Sequence, residues 1–498
     1  MTSAATTALT GDDRRHTRRG DSGSSPKEVF AAGWPEWRMP LLFMLCLAAF
    51  GLSFYPALIA VIIILFNRWR HDKYDFIFML TIFFGEYGFT SKTQTFIFMS
   101  DIALALSALL WIFYRRPPLL SKMLVLFCVY IGGLVFIATR SIESMSIQLL
   151  TMRMYFAILY IIVPVAVFSG IKFDIRVFFR KAIIFTIIIA AFYIADSLII
   201  SGNFFVPNTF IYGNVVSRFY DLYWQPLSFS PFRKYPPGLY IAMLAIYPAA
   251  KYYTLRWWQW LIICGGLLVT FTFSVIIAYV VVYMFLVVKP AKILKYSAIV
   301  AFACVSVYFI DGMLPVAKED TFDNVSRLRI KSSVDQILEL RKAVDDEDIA
   351  RFASGRMAQA IPKFELVAHE GRQAFGLGFL HREKTKINRY IITNEYYTDI
   401  SQNIEVATGI EIVPAQIYVT IGYVGLALHV IVFVLLYLMV RKLRGSVYVL
   451  SVLCANVITG LGGFAGLITP TGLYLVSLSI AAVLLSNRKE VWGRAWRE

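Results

Sequence analysis

The sequence predicts an all-α integral membrane protein of about 12–14 transmembrane helices, with one large helical loop on the extracytoplasmic side. Three observations predict it. Hydrophobic residues make up 58% of the 498 positions, more apolar surface than a soluble domain can bury. Apolar runs long enough to cross a bilayer recur from Leu41 to Ser486. Charged residues, only 16% of the chain, gather between those runs. The formal net charge of +16 suggests a nucleic-acid partner at first sight. However, the excess Lys and Arg flank apolar runs, where they orient membrane helices, so no nucleic acid is expected.

Residues 1–38 are polar and basic and read as a disordered cytoplasmic tail. Arg14, Arg15, Arg18 and Arg19 resemble a twin-arginine signal, but no small-residue cleavage site follows the first apolar run. Residues 39–310 carry most of the expected spans. Leu41–Phe66 is either one kinked helix or a pair of short ones; positive charge on both sides favours the pair. Further spans are expected near Tyr74–Phe89, Phe96–Tyr114, Ser121–Thr139, Ile147–Gly170, Phe178–Ser201, Pro237–Ala250, Trp257–Thr272, Phe273–Val288 and Ile293–Ile310. Residues 412–487 hold the last three, near Ile412–Val440, Ser446–Leu461 and Gly466–Ser486, and 488–498 form a cytoplasmic tail. Basic clusters recur on every second loop, which places both termini in the cytoplasm. Among intramembrane ionisable residues, Asp101 and Arg153 are candidates to pair, and Glu86 and Asp196 need partners. Cys46, Cys128, Cys264, Cys304 and Cys454 all lie in apolar runs and read as packing residues.

Two long loops then fall outside. The first, 202–236, is dense in aromatic residues and holds Arg218, Trp224, Arg233 and Lys234. Tyr and Trp suit a membrane interface, and the same residues could stack sugar rings while guanidinium groups clamp phosphate. The second, 311–411, is polar and helix-forming. Asp346–Glu370 reads as an amphipathic helix stopped by Gly371 and followed by the tight turn Gly376-Leu377-Gly378-Phe379. Asp346-Glu347-Asp348 has a D-x-D form but reads as a solvated helix start. His369 and His381 lack a ligand pattern, and no metal site is expected.

The stretch Ser354-Gly355-Arg356 through Gly376-Leu377-Gly378-Phe379 resembles the family of bacterial O-antigen polymerases and O-antigen ligases. Gly422-Tyr423-Val424-Gly425 is similar to the family's glycine pair at the start of a re-entry span. Thr270-Phe271-Thr272-Phe273-Ser274 resembles its junction between two spans, with Val275 where the family has arginine. The family's His-Asn pair before the re-entry span is replaced by Glu411-Ile412.

The resemblance implies a metal-independent glycosyltransferase of the bacterial inner membrane that needs no cofactor. Its donor would be an undecaprenyl-diphosphate-linked oligosaccharide, and its neighbours membrane lipid, a flippase and a chain-length regulator. Developing charge on the leaving diphosphate needs fixed cations, with Arg356 first and Arg218, Arg233, Lys234 and Arg372 behind it. Candidate bases for the acceptor hydroxyl are Glu411, His369 and Glu395. Polymerase is the expected activity, with ligase the alternative. A glycolipid transporter would show internal repeats, and none is clear. A non-catalytic part of an envelope-assembly complex would tolerate loss of Arg356.

Overall fold

The fold comes from a computed structural model that describes residues 27–48, 54–83, 88–90, 96–98, 105–110, 118–141, 143–200, 238–269, 273–288, 363–364, 366–380, 389–390, 404–405, 413–462 and 467–488. The helices are α1 (Trp34–Ala48), α2 (Phe54–His71), α3 (Lys73–Phe83), α4 (Pro118–Ala138), α5 (Met145–Met152), α6 (Ile162–Val167), α7 (Ile175–Ile200), α8 (Ala242–Lys251), α9 (Trp257–Val269), α10 (Phe273–Val287), α11 (Val413–Val440), α12 (Ser446–Gly462) and α13 (Pro470–Ser486). Three of them, α4, α7 and α11, are long and apolar enough to cross a membrane. Their outward faces are apolar as well: Val125 and Val129 on α4, and Val430, Ile431 and Val434 on α11, are all exposed. Water would penalise such a surface and lipid does not.

α13 lies at the centre. Its sequence is apolar on all sides, broken only by small Ser, Thr and Ala residues, as suits a helix surrounded by protein. Leu473 through Leu485 are buried. Thr469 caps its start by accepting the Gly472 amide at 3.2 Å, with Pro470 in the first turn. Ser477 donates to the Ile158 carbonyl at 2.9 Å, tying α13 to a 3-10 segment, Arg153–Ile161, that continues α5 into α6. Asn487 closes the helix and brackets the α11–α12 turn through the Arg444 amide and carbonyl.

The basic loops converge at one end of the bundle. Arg488 donates to the carbonyls of Phe168, Ser169 and Ile171, and Tyr253 donates to that of Arg176. Beneath them sits a buried ion cluster. Lys181 of α7, 6% exposed, lies 2.6 Å from Asp75 and 3.0 Å from Asp72. Asp72 also caps α3, accepting from the Tyr74 and Asp75 amides. Burial pushes the Asp72 carboxyl up, but the Lys181 ammonium and these hydrogen bonds outweigh it. Its pKa lies below the ordinary 3.8.

The expected pair of short helices in Leu41–Phe66 is present: α1 and α2 are separate and pack on each other. Elsewhere the structure departs from expectation. Residues 27–38, expected to be disordered, begin with a strand. β1 (Glu28–Val29) pairs in parallel with β4 (Tyr253–Thr254), after which α1 starts at Trp34. Phe30 is fully buried edge-on to Tyr253, and Arg180 bonds Glu36 at 2.7 Å, so apolar burial and ion pairing hold this segment. Within the span expected over Tyr74–Phe89, α3 covers residues up to Phe83 and residues 88–89 are in a strand. β2 (Gly88–Thr90) and β3 (Phe96–Phe98) then form an antiparallel hairpin where two helix ends were expected. Aromatic and β-branched residues in Gly88–Thr90 and Phe96–Phe98 suit strands. Glu86 and Asp101 lie outside the described residues; among the described residues Asp75 and Lys181 form a buried ion pair.

Lys181→Met removes the closest partner of buried Asp75 and of part-exposed Asp72 and should lower stability by about 3–5 kcal/mol, with Asp75→Asn in the same chain restoring part of the loss. Thermal unfolding in detergent checks it; an unchanged midpoint contradicts the pairing. Because the Asp72 pKa is depressed, its contribution is complete above its unfolded value near 3.8 and is lost as pH falls through the folded value.

Candidate functional site

At the opposite end of the bundle, a piece of the large polar loop is built into the helices. Residues 366–369 end the amphipathic helix, and Gly371, with φ of +62°, stops it as expected. The Arg372 amide reaches back to the Val367 carbonyl and the Gly371 amide to that of Ala368, the paired bonds of a glycine-terminated helix. Leu366, Val367 and Leu377 then pack on Val419 of α11.

The chain next enters a break in α11. Gly422 has φ 66° and ψ −168°, which no helix contains. In a straight helix the Tyr423 and Val424 amides would donate to the Val419 and Thr420 carbonyls. The turn takes over all four groups. Leu377 N–H donates to Val419 at 2.8 Å and Gly378 N–H to Thr420 at 2.9 Å. Tyr423 and Val424 donate to Gln373 and Ala374, each at 3.0 Å. Gly376 and Gly422 permit this approach. A Cβ on Gly376 would meet the Thr420 backbone, and one on Gly422 the Ala374 backbone, inside van der Waals contact. Both glycines also have positive φ.

The third wall is the loop from α4 to α5. Gln148, fully buried, donates to the carbonyls of Ala138 at 2.7 Å and Glu143 at 2.9 Å, folding that loop. Its Oε1 accepts from the Phe379 amide at 3.3 Å. Ser141 donates to Leu377 at 2.7 Å and Thr151 to Leu380 at 3.1 Å, and Arg372 donates to the Arg140 carbonyl. Phe375 meets Phe136 edge-on at 6.1 Å, and the Arg140 guanidinium lies over the Phe136 ring. Below, Phe379 contacts Tyr155. Buried His429 bonds the Tyr130 hydroxyl through Nδ1 at 2.8 Å, while its Nε2 has no partner among the described residues.

Of the residues singled out in the sequence, Arg372 belongs to this assembly. His369 does not: its side chain is 84% exposed and lies 3.6 Å from Glu370. Arg356, Glu411, Arg218, Trp224, Arg233, Lys234 and Glu395 lie outside the described residues. The glycine turn at 376–379 and the glycine pair at 422–425, read separately, are in direct contact. Ser141, Gln148, Arg140 and His429 escaped the sequence reading. Gln148 and His429 carried a signal, as polar groups inside apolar runs that require a partner.

No protein-family model matches the sequence, and a search of curated proteins finds no match.

Gly422→Ala and Gly376→Ala should each cost about 2–5 kcal/mol, from strain at positive φ and backbone collision. Hydrogen exchange should show the Leu377 and Gly378 amides losing protection. Full protection in Gly422→Ala contradicts the docking.

Proposed function

We propose that this protein is a glycosyltransferase of the bacterial inner membrane that polymerises surface polysaccharide, with both termini in the cytoplasm. The donor is an oligosaccharide on undecaprenyl diphosphate. An acceptor hydroxyl attacks the anomeric carbon as the bond to the diphosphate oxygen breaks. The electron pair leaves with the diphosphate, and the hydroxyl proton goes to a base. Nucleotide sugars are confined to the cytoplasm, so on the outer side the leaving group has to arrive on lipid. Its growing negative charge calls for fixed cations.

One observation carries the reading. Two of the motifs that resemble the polymerase and ligase family, the glycine turn at 376–379 and the glycine pair at 422–425, are far apart in sequence and lie in one hydrogen-bonded unit, and that unit orients Arg372. The charge distribution agrees. At the basic end Lys181, Arg180 and Arg488 are engaged with carboxylates and carbonyls, whereas Arg372 faces no carboxylate among the described residues. Arg356 is proposed as the principal diphosphate ligand, supported by Arg218, Arg233 and Lys234 of the first outer loop, with Trp224 stacking sugar. Glu411 is proposed as the base. His369 ranks behind it, because its ring is exposed beside Glu370.

A transporter reading draws on one feature, the broken helix α11, since carriers place substrate at unwound segments. In carriers the freed backbone groups face substrate; here the turn consumes all four. That favours the enzyme.

Arg356→Ala in a deletion strain should abolish long glycan chains and leave lipid-linked single units. Arg372→Ala should lower chain yield about ten- to hundred-fold, as loss of a charged hydrogen bond would. Chain-length ladders on a gel report both. Ladders unchanged by Arg356→Ala refute the assignment, and free long chains unattached to core would make the activity a ligase.

A further inference from the structure

The loop between α4 and α5 is short, and its Arg140 sits at the end of the bundle away from the basic cluster. Positive charge at this end does nothing to retain loops in the cytoplasm. Its surroundings are nonetheless built. Gln148 folds the loop from below, Ser141 bonds it to the glycine turn, and Arg372 donates to the Arg140 carbonyl itself. The Arg140 guanidinium rests over Phe136 at 5.4 Å, and Phe136 meets Phe375 of the turn that carries Arg372. Because Arg372 touches the Arg140 backbone, the two arginines are neighbours at this end of the bundle.

Neither has a carboxylate within salt-bridge distance among the described residues. Glu143 and Glu370 are the acids closest in sequence, and Glu370 faces His369 instead. Arg140 donates no side-chain hydrogen bond among those residues, and Arg372 donates one. An arginine has five N–H donors in a planar fork that matches phosphate oxygens.

We propose that Arg140 and Arg372 together form a clamp for a diphosphate ester carried on a membrane lipid, with Arg140 contributed by the α4–α5 loop. This rests on the glycosyltransferase reading and adds to it a residue outside the large polar loop. Two guanidinium groups on one rigid platform can each engage one phosphate of the pair. The Phe136 ring holds the Arg140 fork without using up a donor, and one hydrogen bond to the Arg140 carbonyl holds Arg372. The clamp then binds the donor before reaction and the released lipid diphosphate after it.

The test uses the full chain in phosphatidylcholine nanodiscs, titrated with undecaprenyl diphosphate and, separately, with inorganic diphosphate. Arg140→Gln, Arg372→Gln and the double variant are compared with Arg256→Gln, at the opposite end, and thermal melts confirm folding. Each single change should weaken undecaprenyl diphosphate binding about ten- to hundred-fold, and Arg256→Gln should not. Inorganic diphosphate should show the same ranking at lower affinity, and added phosphatidylglycerol should not compete. If Arg372→Gln weakens binding and Arg140→Gln does not, the clamp is refuted while the glycosyltransferase reading stands. If phosphatidylglycerol displaces the probe, the pair reads bulk headgroups and the proposal fails. If wild type binds neither probe, the glycosyltransferase reading falls with it.

Discussion

A break in a helix inside an apolar bundle leaves amides and carbonyls that must be paired, and the rest of this structure depends on how α11 meets that constraint. Two helical hydrogen bonds are exchanged for four to the turn at 373–378. Left unpaired, the carbonyls of buried Val419 and Thr420 would cost about 1–3 kcal/mol each, a sizeable part of a domain's net stability. The turn also has to outcompete a straight α11, in which two bonds would simply re-form. Gly422 weakens that competitor by about 1 kcal/mol relative to alanine, and the Leu377–Val419 packing and the contacts from Ser141, Gln148, Thr151 and Arg372 add to the margin.

This arrangement gives part of a long polar loop a fixed position on the bundle. A loop attached only at its ends would not hold an arginine in one place. Here the loop is anchored midway, beside the helix ends of α4 and α5, so Arg372 is fixed relative to the membrane-spanning elements. At the basic end, Lys181, Arg180 and Arg488 are spent on internal partners. At the other, Arg140 and Arg372 have no carboxylate partner among the described residues.

Helical membrane character was legible because apolar run length is a local property, and α4, α7 and α11 lie where those runs predicted. The Gly371 stop and both glycine motifs were legible for the same reason, since positive φ selects glycine wherever it occurs. Their contact was not, because nothing local to residues 376–379 names Thr420 as a partner. Arg140 was missed on similar grounds. A single arginine after an apolar run looks like a helix flank until Arg372 is placed against it. The strand Glu28–Val29 was hidden by a polar composition that suggested disorder, and its stability comes from Phe30 and Arg180 partners distant in sequence. Asp75 and Lys181 were passed over because each sits near a helix end, where a solvated charge is the ordinary outcome.

The central claim is that the outer end of this bundle joins glycans drawn from a lipid diphosphate. Reconstitution tests it most directly: the purified chain in liposomes, supplied with undecaprenyl-diphosphate-linked oligosaccharide and no nucleotide sugar. The account predicts longer lipid-linked glycans, with one undecaprenyl diphosphate released for each unit joined. A folded protein that leaves the donor unconsumed would contradict it.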